Sequence, residues 1–179
     1  AGDRPFVGGS PTNSVLQLAL GYNGLGRMTG STGTTAITSG FGATNIARIG
    51  RVDLAAEITW LMPAVVVLGP LAWRLSRDLP ARRAVRSALV MWGTWLGAAS
   101  VTFAAMAGIF HSYYTVILAP PIAVIVALGS WLGWEHRQIA WVRWWLAAAV
   151  GATTLVSSRT VAVLGFDLRW WFLAVVAAG

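Results

Sequence analysis

Cysteine is absent from this chain, which excludes disulfides, thiol nucleophiles and Cys-based metal sites. Lysine is absent too: all 13 basic residues are Arg. Without Lys no phosphate-binding P-loop can form. Charge of any kind is scarce, at 11% of 179 residues, against about 25% in an ordinary soluble domain. So few charged groups cannot cover a water-facing surface of this size, and lipid is the natural solvent for much of the chain. The sequence begins at Ala1 without an initiator Met or a signal peptide, and it closes on the apolar run Ala174-Val175-Val176-Ala177-Ala178-Gly179. It therefore reads as an internal or C-terminal piece of a longer protein.

What is plentiful is apolar and aromatic. Hydrophobic residues make up 56% of the chain, 11 of them Trp, and the mean hydropathy is +0.66. Trp73, Trp131, Trp134, Trp141, Trp144, Trp145, Trp170 and Trp171 stand near the ends of apolar runs, as in an aromatic belt at the headgroup level. The net charge of +7 does not point to nucleic acid. The Arg residues cluster in short connections between apolar runs, where they orient a membrane protein.

The pattern predicts an all-α fold, a polytopic bundle of about four to five transmembrane helices behind a polar, Gly-rich extracytoplasmic loop region. Residues 1–53 form the polar region and 54–179 the helical one. Within 1–53, residues 14–20 suit about two turns of helix with Asn13 as a cap, and 30–42 read as a loop. Spans are expected at about 54–73, 87–110, 115–134 and 139–158, with a fifth beginning near 168. Pro120-Pro121 is expected to kink the third, and Ser157-Ser158-Arg159-Thr160 to form a turn. Residues 74–86 carry five Arg against one acid, Asp78. By the positive-inside rule this stretch is cytoplasmic, which puts 1–53 and His111–Tyr114 together on the extracytoplasmic face.

Two polar-aromatic sequences therefore share that face. In Gly21-Tyr22-Asn23-Gly24-Leu25-Gly26-Arg27 the Asn-Gly pair suits a turn with positive φ. Its bland reading is a surface turn. Its functional reading is a ligand loop, with Tyr22 stacking on a ring or lipid, Asn23 bonding hydroxyls and Arg27 pairing with phosphate. His111-Ser112-Tyr113-Tyr114 is either a belt with a polar tip or a site in which His111 meets a metal, a phosphate or a proton. One His makes no metal site, and the sequence offers no nearby acid. Paired catalytic carboxylates and a Ser-His-Asp arrangement are not visible.

Arg4-Pro5-Phe6-Val7-Gly8-Gly9-Ser10, Asn13-Ser14 and Gly21–Arg27 together resemble a block in bacterial family 39 glycosyltransferases. These belong to the aminoarabinose-transferase-like and protein-mannosyltransferase-like group. Ile58-Thr59-Trp60-Leu61-Met62-Pro63-Ala64 looks like the helix that follows. Gly108-Ile109-Phe110-His111-Ser112-Tyr113-Tyr114-Thr115-Val116 with Leu118-Ala119-Pro120-Pro121 resembles a later segment of that family. Ser112 stands where the family often has Pro, and the Gly-rich stretch after Gly30 is short. The match spans about residues 4–133; beyond it only generic apolar helices agree.

The resemblance implies a GT-C-type enzyme of the cell membrane. Such an enzyme passes a sugar from a polyprenyl-phosphate carrier to an envelope glycan, lipid or protein on the outer face. The family's catalytic acid would precede Ala1, so no catalytic residue is assigned. A departing lipid phosphate needs positive charge or a metal beside it. Arg4, Arg27 and His111 are the candidates for that charge, and a divalent metal is the one cofactor this chemistry could use. Tyr22, Asn23, Tyr113 and Tyr114, with Asn13 from the motif, are candidates for sugar or lipid binding. The rival readings are a transporter or flippase of a lipid-linked envelope precursor and a scaffolding membrane subunit. A transporter more often has internal repeats and mid-membrane ionisable groups. The central spans carry no mid-membrane acid, and no clear repeat is seen.

Overall fold

The computed structural model describes residues 5–8, 10–26, 49, 57–106 and 111–165, the Tyr22 side chain excepted. Among them the chain is helical and contains no strand. Helix α1 (Val15–Gln17) opens into wide π-helical turns over Leu18–Leu25. A 3-10 turn (Thr59–Leu61) leads into α2 (Met62–Leu75), and a second (Ser76–Asp78) leaves it. Then come α3 (Arg82–Ala105), a 3-10 segment (Ser112–Leu118) running into α4 (Ala119–Glu135), and α5 (Ala140–Val163).

Four rods are long and apolar enough to cross a bilayer: Thr59–Asp78, Arg82–Ala105, Ser112–Glu135 and Ala140–Val163. A 24-residue rod is about 36 Å long, against about 30 Å of hydrocarbon. The faces turned away from the bundle stay apolar; Val66, Trp144, Val150 and Val163 are all exposed. That is the expected surface of a multi-pass membrane protein. The fifth span and the loop at 30–42 lie outside the described residues.

Local chemistry explains where the helices differ from the expected bounds. The Arg-rich connection is far shorter than 74–86. Arg74 lies in α2, and Arg82, Arg83 and Arg86 lie in the first turns of α3. Arg is a good helix former whose long stem carries its charge out to the interface. The break falls at Leu79-Pro80: Leu79 is extended (φ −83°, ψ 140°), as the residue before a proline prefers. Pro120 and Pro121 do not kink a helix; they stand in the first turn of α4, where a missing N–H costs nothing. The turn expected at 157–160 is helix instead. Ser158 and Thr160 donate their hydroxyls to the Leu155 and Val156 carbonyls at 3.0 and 2.9 Å, which satisfies them inside α5. The chain leaves α5 only at Gly165 (φ +74°), a left-handed position that glycine takes without strain.

The polar segment differs in detail as well. Ser14, not Asn13, caps α1, its hydroxyl accepting from the Gln17 amide at 3.4 Å. Asn13 takes a left-handed conformation (φ 55°), accepts from the Val7 amide and donates to the Pro5 carbonyl at 3.1 Å. Its amide thereby clamps the preceding loop. Asn23-Gly24 forms no positive-φ turn; Gly24 sits at φ −103°, ψ −112° within the wide turns. A Cβ there would stand 2.8 Å from the Ala19 carbonyl oxygen, so the wide turn requires glycine.

The rods pack in the order α3, α4, α2, α5; α2 and α3, though consecutive, touch only lightly. Leu71, Leu118, Ile122, Leu132 and Val142 are fully buried between them. The deepest contact is backbone on backbone. A Cβ on Gly129 of α4 would lie 2.5 Å from Leu68 Cβ and 2.6 Å from the Leu68 carbonyl oxygen on α2. One turn on, a Cβ on Gly133 would meet only the tips of Leu146 and Leu71, at 2.7 and 3.3 Å. This is the small-xxx-small spacing that lets membrane helices approach closely.

Gly129→Ala is expected to cost about 1–3 kcal/mol by overpacking, seen as a lowered melting temperature in detergent. Gly133→Ala should cost less, because a leucine tip can turn aside. Gly151→Ala, with open space at its Cβ, should be neutral or slightly stabilising. Asn13→Ala should speed hydrogen exchange at the Val7 amide and leave amides within α4 unchanged.

Candidate functional site

The site is built at the end of the bundle where α2 begins and the Ser112–Leu118 segment starts. That segment is 3-10, so residues three apart lie on one side. Thr115, fully buried, donates its hydroxyl to the Ser112 carbonyl at 2.7 Å, and the Tyr114 amide donates to the His111 carbonyl at 3.1 Å. These bonds fix the course of 111–115 and pack its rings together. His111 stacks on Tyr113 with centroids 5.2 Å apart and planes 13° from parallel. Tyr114 meets both edge-on, at 5.5 Å from His111 and 4.8 Å from Tyr113. Tyr114 is half-buried and anchors the group to the core. His111 and Tyr113 stay exposed, Tyr113 by 61%, and form a platform with both apolar faces and hydrogen-bonding edges.

An acid stands beside the platform. The Ser112 hydroxyl donates to Glu57 Oε1 at 3.1 Å, across 55 residues of sequence. The sequence reading found no acid near His111, because helix packing rather than local spacing brings Glu57 there. Glu57 is exposed, so its carboxylate keeps lone pairs free for a ligand's hydroxyl.

Along the chain from Glu57 the environment turns apolar. Two residues on, Thr59 is 3% exposed and its hydroxyl has no partner among the described residues. It lines a cavity of about 530 Å³ with Met62, Val66, Ser100, Ala152 and Val156. The Ser100 hydroxyl is likewise buried without a partner among the described residues. A pocket with apolar walls and two such buried hydroxyls suits an amphiphile.

The predicted site residues fare unequally. His111, Tyr113 and Tyr114 are brought into mutual contact. The Asn13 amide is engaged by its own loop. Asn23 is exposed, and its side chain makes no hydrogen bond among the described residues. Arg4, Arg27 and the Tyr22 side chain lie outside the described residues. Sequence reasoning missed Glu57 as a site residue, along with Ser112 and Thr59. The signal the sequence offered was Ser112, a hydroxyl at a position where the resembled family 39 enzymes often have Pro. For a divalent metal, His111 and Glu57 offer two ligating groups, fewer than the three protein ligands of a typical catalytic zinc site. Among the described residues no three His, Asp or Glu converge.

Comparison with known proteins yields two distant relatives, both from Bacillus subtilis (strain 168). "Putative mannosyltransferase YkcB" is 25% identical over 246 aligned positions, covering 86% of this chain and 34% of that protein. "Putative mannosyltransferase YycA" is 25% identical over 240 positions, covering 87% and 34%. The chain thus spans about a third of the length of the curated relatives it matches. Both alignments are longer than the chain's own 179 residues, so the relatives carry insertions relative to it. No family model matches the chain, and no solved structure matches it. The chain is a multi-pass helical membrane protein, distantly similar to proteins described as glycosyltransferases.

Proposed function

We propose that this chain forms part of a membrane glycosyltransferase of the GT-C type, akin to family 39. In this reading it moves a sugar from a polyprenyl-phosphate carrier to a cell-envelope acceptor. The reaction lies at the His111 end, on the extracytoplasmic face with residues 1–53, and the arginines at 74–86 face the cytoplasm. The observation that supports the reading is the Glu57–Ser112–His111–Tyr113 cluster, with an apolar cavity lined by Thr59, two residues along the chain from Glu57. A polyprenyl-linked sugar has the same two-part character.

Each group then has a role its chemistry supports. Tyr113 and His111 stack against the C–H face of the sugar or the first prenyl unit. Glu57, oriented by Ser112, accepts from a sugar or acceptor hydroxyl. His111, with Arg4 and Arg27, offsets charge on the departing phosphate. The described spans hold their charged residues near their ends, which supports an enzyme over a transporter that moves charge through mid-membrane.

The test is transfer from a panel of radiolabelled polyprenyl-phosphate sugars by membranes containing the full-length parent protein. Mannose comes first, because the relatives' names point to it. Tyr113→Ala and His111→Ala should each lower transfer about 10- to 100-fold at unchanged expression. Glu57→Gln and Ser112→Ala should raise KM together, without adding in the double variant, since both act on one carboxylate. Unchanged rates in all four would remove the site from this end. Wild-type flipping of a lipid-linked precursor without transfer would replace the enzyme by a flippase.

A further inference from the structure

A second arrangement runs along α2 and α3; its groove shares Met62, Val66 and Ser100 with the cavity already described and ends at the arginine-rich end of the bundle. Helices α2 and α3 both pack on α4 but hardly on each other, so an apolar groove of about 520 Å³ opens between them. Its floor is Ile125 of α4, and its walls are Val66, Gly69 and Trp73 of α2 with Val90, Gly93 and Gly97 of α3. Nothing lies within 4 Å of a Cβ placed on Gly93 or Gly97, so on that side the wall is bare backbone. From Met62 to Trp73 the groove follows twelve residues, about 16 Å of helix. Its apolar walls and open side suit a hydrocarbon chain lying along the helices.

Its mouth is strongly basic. The Arg86 guanidinium lies over the Trp73 ring at 4.5 Å from the centroid. It donates to Ser76 Oγ at 3.3 Å and to the Trp73 carbonyl at 3.5 Å. This fixes it at the end of the groove, with donors to spare. Arg77 of the short connection and Arg82, the first residue of α3, are exposed beside it. None of these three makes an ion pair with an acid among the described residues. Helix α3 starts beside them with no capping side chain and no acid in its first turn, so its positive end adds to theirs. The positive-inside rule accounts for the presence of arginines here. It does not account for one being locked against a tryptophan at the entrance of a chain-sized groove.

We propose that this groove holds an acyl chain of an anionic phospholipid whose phosphate is bound by Arg77, Arg82 and Arg86. Basic pockets between transmembrane helices bind anionic headgroups in this manner, and the guanidinium fork matches phosphate oxygens. The lipid acts as a wedge that ties α2 to α3, a consecutive pair that the protein itself leaves loosely joined.

The test uses the full-length parent protein purified in a neutral detergent. Phosphatidylglycerol should raise its melting temperature saturably, by at least roughly 4 °C. Phosphatidylcholine with the same chains should not. Inorganic phosphate and glycerophosphoglycerol, which have the anion but no chain, should also fail; an equal shift from either would overturn the role of the groove. Arg82→Gln/Arg86→Gln should weaken the phosphatidylglycerol effect about tenfold or more. Gly93→Leu should abolish it while leaving the arginines in place. Should that variant not fold, phosphatidylglycerol bearing a mid-chain diazirine decides. Crosslinks concentrated on 89–100 and 62–73 support the groove, and crosslinks spread equally over the exposed face of α5 overturn it.

Discussion

Apolar surface buried between helices gains little in a bilayer, because lipid tails are as apolar as leucine. Close packing must therefore select the arrangement, and here it centres on Gly129 against Leu68. With no side chain between them, the α4 and α2 backbones touch. Leu71, Ile122 and Leu132 are then fully enclosed. The other two rods dock on this pair from opposite sides, α3 on α4 and α5 on α2.

The two ends of the bundle follow from that one contact. The register of α2 against α4 sets Thr59 and Glu57 beside the segment that begins at Ser112, and so makes a rim out of residues 55 apart. The same register leaves α3 held by α4 rather than by α2, and a groove opens between α2 and α3 that ends at the arginine-rich connection. The polar aromatic cluster and the basic mouth thus follow from one packing choice, and the cavity and groove between them share Met62, Val66 and Ser100. Both suit amphiphiles, as cavities open to a bilayer would.

Much of the helical order was legible in the residues. Long uncharged runs, Trp at their borders and Arg in the connections are bilayer signals that need no tertiary contact. Helix ends were less legible, because each depends on a local competition. Arg82 to Arg86 could be loop or helix by charge alone, and Pro80 decided for helix. Pro120-Pro121 could kink or start a helix, and the preceding 3-10 segment decided for a start. Ser157 to Thr160 looked like a turn by composition, yet Ser158 and Thr160 found carbonyls within α5. Of the site, His111, Tyr113 and Tyr114 were visible as neighbours in sequence. Glu57 was not, since nothing in its own surroundings says which helix it will meet.

The sequence by itself determined the solvent: a chain 56% hydrophobic and 11% charged belongs largely in lipid, with its arginines gathered in short connections. It also determined that His111, Tyr113 and Tyr114 stand together at one end and the arginines of 74–86 at the other. Only the tertiary structure decided that Glu57 reaches Ser112, that the Thr59 and Ser100 hydroxyls share a cavity, and that Arg86 closes over Trp73. The physical reason is the same in each case. Transfer into lipid depends on composition summed along the chain, whereas contacts between helices depend on backbone approach and rotation, set by glycine-sized details such as Gly129 that no local pattern orders.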